Sequence, residues 1–174
     1  MMRRLDSPSQ QESAVRLEDL LPHRPPMILI DEVVGFDAAA RSLTAAVTVK
    51  PAWCENWVAI EFMAQTAAAL AGVIDRRERP GQPARPGFLL GTRRLDLALD
   101  RFVVGKRYLV TAEAVFSDGE AASFACAIRE AEGREVACAT LNAFRPDDLS
   151  AFMREQGRRA IGANPISATM AAAR

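Results

Sequence analysis

Between Trp57 and Ile74 the chain reads WVAIEFMAQTAAALAGVI, a helical stretch that is apolar almost all the way round. Its only strongly polar members, Glu61 and Gln65, stand four residues apart and therefore share one face. A helix without a polar side must be enclosed by other structure or by lipid. At 18 residues it is of borderline spanning length. A carboxylate, an amide and several small residues favour enclosure by protein. An ionised Glu on such a helix is costly to bury unless paired or protonated. Glu61 is thus expected in surroundings that favour its protonated form, which suits acid–base chemistry.

The rest of the composition narrows the possibilities. The chain has 174 residues, enough for one domain with a real core. Lys plus Arg and Asp plus Glu are 22 each, so there is no global electrostatic case for nucleic acid or an anionic membrane. Cys54, Cys126 and Cys138 are widely spaced and odd in number. They match neither a disulfide framework nor a metal site, and they point to a reducing, cytoplasmic setting. Arg3 and Arg4 are not followed by an apolar run, so no secretory signal is expected. His23 is the sole histidine, which rules out any mechanism needing two imidazoles from one subunit.

Punctuation divides the chain into a loose polar tail over 1–19, a folded unit over 20–146 and an extension over 147–174. Where the tail meets the folded unit, 16–21 suits one helical turn. Strands are expected over 27–36 and 41–50, joined as a hairpin. Asn56 is placed to cap the apolar helix. Residues 75–86, charged and rich in Pro and Gly, read as a loop. Strands then follow over 87–97, 107–116, 121–130 and 134–144, and a short helix over 148–159. Two strands, one enclosed helix and four more strands describe an antiparallel sheet curled around that helix. This is the α+β layout of the hotdog fold. Its free edges predict a dimer.

Two motifs sharpen this. LPHRPPMILIDEVVGF (21–36) resembles the opening of 3-hydroxyacyl-carrier-protein dehydratases of the FabZ type, and IEFMAQTAAALAG (60–72) resembles their central helix. GFLLGTRRLDL (87–97) and LNAFRP (141–146) are most similar to the ApeP-like branch associated with aryl polyenes. The resemblance implies removal of water from a 3-hydroxyacyl thioester carried on the phosphopantetheine arm of acyl carrier protein, with no other cofactor. It also implies a hotdog dimer, built from two copies or with a different hotdog subunit. Glu61 matches the family's acidic position. The family's usual His precedes the helix in a His-Phe-Pro-Gly segment; here the region is Lys50-Pro51-Ala52-Trp53-Cys54-Glu55-Asn56 and has none.

The chemistry needs a base at C2, an acid at C3 and donors for the thioester oxygen. Glu61 is the candidate acid, with Gln65 orienting it. His23 is the candidate base, replacing the missing histidine, either within its own subunit or across the dimer. Backbone N–H groups near Trp57 and Val58, at the helix start, are candidate donors to the thioester carbonyl. Phe88 and Gly91, in the third motif, are candidate substrate contacts. Arg93 and Arg94, with Lys106 and Arg107 nearby, are candidates for docking the acidic carrier or its phosphate. Each has a plainer reading: His23 as a structural border of the acyl tunnel, Glu61 as a satisfied buried carboxylate, Cys54 as a half-buried thiol. A non-catalytic hotdog subunit paired with an active dehydratase, and a thioesterase on the same fold, stand as alternatives.

Overall fold

The computed structural model describes residues 16–82 and 85–162. Residues 1–15 of the expected tail over 1–19, and 163–174 of the extension over 147–174, lie outside the described residues. The expected turn near 16–21 is α1 (Leu17–Leu20). The hairpin is β1 (Glu32–Asp37) and β2 (Ser42–Thr48), and the long helix is α2 (Ala59–Glu78). After it come β3 (Phe88–Leu97), β4 (Arg107–Ser117), β5 (Ala121–Glu130), β6 (Glu135–Phe144) and α3 (Leu149–Gly162).

The six strands form one antiparallel sheet in the order β1-β2-β4-β5-β6-β3. The strand after the helix closes the far edge instead of joining its sequence neighbour. The sheet wraps α2, which packs on β2, β4, β5 and β6. Alternation along the strands sends Val110, Ala112, Phe124, Cys126, Ile128, Ala139 and Leu141 into the core, where they meet Phe62, Met63 and Leu70 of the helix. The arrangement is the hotdog fold.

Several boundaries move, each for a local reason. Strand β1 begins at Glu32, not at Met27, because the backbone of Met27 and Leu29 is bonded to the Gln65 side chain. Asn56 does not cap the helix. It opens a 3₁₀ turn (Asn56–Val58) that leads into α2, and its amide donates to the Leu99 carbonyl. Asp75–Glu78 continue the helix where a loop was expected. Asp75 is buried there and neutralised by arginines from outside the helix. By length and composition Asn56–Glu78 could cross a membrane, but this is the helix that the sheet encloses.

Candidate active site

The site is assembled on the first half of the chain. Helix α1 meets α2 at Gly72, where an added Cβ would lie 2.7 Å from the Leu20 carbonyl oxygen. Leu20 and Leu21 are buried at this contact. Only a residue without a side chain allows so close an approach. The chain then turns, and the Arg24 guanidinium donates to the carbonyls of Leu21 at 3.1 Å and His23 at 2.7 Å. The turn delivers His23 Nε2 to 3.7 Å from Glu61 Oε1 of the same protomer. No crossing between subunits is needed to bring these two residues together.

Gln65 sits one helical turn beyond Glu61 and is wholly buried. Its Oε1 accepts the Leu29 N–H at 2.8 Å. Its amide nitrogen donates to the Met27 carbonyl at 2.8 Å and to Glu61 Oε1 at 2.7 Å. Both of its N–H donors and its oxygen are engaged, so its rotamer is fixed, and it fixes Glu61 in turn. Both contacts to Glu61 fall on Oε1. A carboxylic acid that accepts an N–H on one oxygen carries its proton on the other, so Oε2 is the donor position.

The deep burial expected of Glu61 is not found. Its side chain is 37 % exposed and that of His23 33 % exposed, because both border a cavity of about 220 Å³ between α2 and the sheet. Its helical wall is Glu61, Ala64, Ala68 and Ala71, and facing it are Phe88, Ala122, Phe124, Leu141 and Ala143. The small residues on α2 leave the space that the sheet would otherwise fill. His23 Nδ1 is buried and has no hydrogen-bond partner among the described residues.

Other anticipated residues are placed differently. The Val58 N–H is spent on the Glu55 carbonyl at 3.1 Å, because the helix begins with a 3₁₀ turn, so it is not free for a thioester oxygen. Neither Val58 nor Trp57 lines the cavity, and the Trp57 side chain faces outward, 63 % exposed. Phe88 does line it. Gly91 does not: its φ of 126° serves a bulge where β3 pairs with β6. Arg93 and Arg94 lie outside the cavity on the edge strand, Arg94 bonded to Asp96 at 2.8 Å. Cys54 Sγ donates to the Pro51 carbonyl at 3.3 Å, and burial pushes the Cys126 thiol up to about 12. Among the described residues no group of three or more His, Cys, Asp or Glu could hold a metal ion.

The alanine wall went unremarked in the sequence reading, although the spacing Glu61-Ala64-Ala68-Ala71 traces one helical face. So did Asp75, one turn further on, and Arg41, Arg85 and Arg145, which border the cavity at its other end.

A sequence model of ApeP-like proteins, described as ApeP dehydratase, matches residues 15–154. The chain belongs to the ApeP-like dehydratase family. A 3-hydroxyacyl-[acyl-carrier-protein] dehydratase FabZ from Chlamydia pneumoniae is 32 % identical over 127 residues, with coverage of 56 % of this chain and 82 % of the relative. Among solved structures, the dehydratase heterocomplex ApeI:P from Xenorhabdus doucetiae superposes with a TM-score of 0.71 at 24 % identity, covering 80 % of this chain and 96 % of that one. A hypothetical thioesterase with coenzyme A from Streptococcus pneumoniae superposes at 0.51 with 13 % identity, covering 66 % and 84 %. These two likenesses establish the hotdog fold. The matched range includes Glu61, Gln65 and His23.

Proposed function

We propose that this ApeP-like dehydratase converts a 3-hydroxyacyl thioester on acyl carrier protein to the trans-2-enoyl thioester, in fatty-acid or aryl-polyene assembly. The observation that carries the reading is the His23–Glu61 contact of 3.7 Å at an apolar cavity. His23 Nε2 takes a proton from C2. The C3–O bond breaks, and the hydroxyl leaves as water with the proton of Glu61 Oε2. The electron pair of the C2–H bond becomes the new double bond. Return of the proton from His23 to Glu61, directly or through water, restores both groups. Positioned acids and bases of this kind contribute on the order of 10²–10⁴-fold each. The apolar cavity takes up the substrate, with Phe88 in its wall, and Gln65 holds the acid. The reaction calls on no cofactor beyond the pantetheine arm.

The working unit in this reading is a cytoplasmic dimer of hotdog subunits. Strand β3 ends the sheet with Phe88, Leu89 and Leu90 exposed, a pairing edge that soluble proteins cover. A different hotdog subunit is favoured over a second copy by the missing imidazole in 50–56. The structural neighbour ApeI:P is itself a heterocomplex. That same absence favours a second reading, in which this chain binds acyl carrier and a companion subunit performs the elimination.

Mass spectrometry of a 3-hydroxyacyl carrier protein decides between them. Loss of ~18 mass units with this protein alone, abolished by His23→Ala and by Glu61→Gln, establishes the first. Loss only on mixing with a companion, unaffected by His23→Ala, establishes the second. Release of free carrier thiol would instead identify a thioesterase.

A further inference from the structure

The end of the cavity away from Glu61 is built from cations. Arg41, Arg85 and Arg145 line the cavity and also an adjoining open cleft, so they stand where the two meet. Buried Asp75 holds two of them from behind, Arg145 at 2.9 Å and Arg85 at 3.7 Å, and Arg79 approaches it at 3.1 Å. Arg85 also bonds Asp147 at 3.0 Å, yet its Nε is buried without a partner among the described residues. Glu78 and Glu120 border the junction as well, both exposed to water, which screens them.

Arg41 is the telling member. Its φ of 49° is a left-handed conformation that favours glycine, and its carbonyl is tied to the Ala114 N–H at 3.0 Å. A bulky cation therefore occupies a turn position where glycine would be cheaper. No side-chain hydrogen bond or ion pair holds it among the described residues.

Resting on the dehydratase reading, we propose that Arg41, Arg85 and Arg145 bind the phosphate of the substrate's pantetheine arm. Asp75 lies fourteen residues beyond Glu61 on one helix, or ~21 Å along its axis. An extended arm has about sixteen bonds from phosphorus to C3 of the acyl group, a reach of ~19 Å at the spacing of extended chains. A phosphate held by the arginines thus places C3 beside Glu61. The arm lies along Ala64, Ala68 and Ala71. Guanidinium groups give paired, charge-assisted hydrogen bonds to phosphate oxygens, whereas the outlying Arg93 and Arg94 line neither space.

The test is calorimetric binding of a 3-hydroxyacyl 4′-phosphopantetheine against the same compound without its phosphate, with inorganic phosphate as a third probe. Wild type is expected to bind the phosphorylated compound about tenfold more tightly. Arg41→Gln should remove most of that preference, Arg41→Lys should keep part of it, and circular dichroism should show both folded. Inorganic phosphate should bind far more weakly than the arm. Equal binding of the two compounds, or binding of neither, overturns the proposal. So does inorganic phosphate matching the arm, which would mark a site for free phosphate. Water loss measured on the carrier protein is read separately, so a failed phosphate site leaves the assigned reaction standing, and a failed reaction leaves the phosphate preference measurable.

Discussion

Gln65 holds Glu61 by a 2.7 Å hydrogen bond to Oε1, and is itself held by the backbone of Met27 and Leu29. One amide thus couples the acid to the segment that follows His23. Replacing Gln65 by Leu strands a buried N–H and carbonyl and frees Glu61 to rotate. We expect a loss of about 2–4 kcal/mol in urea denaturation. Gln65→Glu should impair turnover more than it impairs folding, because it replaces the donor to Glu61 with a second carboxyl group.

Gly72 is a positioning residue for His23. In Gly72→Ala the new methyl group meets the Leu20 carbonyl, and α1 must move outward. A stability loss of roughly 1–3 kcal/mol is expected, as for overpacking. The more telling readout is kinetic: kcat should fall more than KM rises, because His23 is carried off while the apolar walls stay. An unchanged kcat would show that α1 does not position His23.

Ala68 borders empty space. Ala68→Leu grows into the cavity where the arm lies, so the protein should keep its melting temperature within a few degrees while losing kcat/KM about equally at every acyl length. A chain-length series of substrates checks this, and a loss that grows with acyl length would place the acyl chain, not the arm, along Ala68.

Glu130 is expected to contribute to the acid limb of stability. Hydrogen bonds from Arg134 and then Lys106 hold its carboxyl down at about 2. A lowered folded-state pKa contributes stability above the ordinary carboxylate value of 4.5 and loses it as the pH falls towards 2. The urea midpoint of the wild type should fall across that window. Glu130→Gln should start lower and fall less steeply. Parallel curves for the two proteins would show that another carboxylate sets the acid limb.

How far the fold could be read in advance depended on the range of the interactions involved. Helix α2 was legible because it has no polar side, and the strands because alternation is local. The start of β1 was not, since it depends on a glutamine 38 residues away from Met27. The extension of α2 through Asp75 was hidden for the same reason: one of its neutralising partners, Arg145, is 70 residues distant. Glu61 and His23 stood out by type and by resemblance, but their proximity follows from the docking of α1 at Gly72, a contact that no local pattern announces. The Val58 N–H was misjudged because a 3₁₀ turn consumes donors that a directly begun α-helix would leave open.

The acid–base pair and its clamp all fall between His23 and Gln65, whereas the sheet wall that faces α2 across the cavity comes from residues after Gly87. The chemistry and the shape of the substrate are thus written in separate halves of the chain. Chimaeras that exchange the second half between relatives would be expected to change which substrates enter without altering what is done to them. Inheritance of this kind lets one reaction be refitted to new substrates by drift in the strands alone.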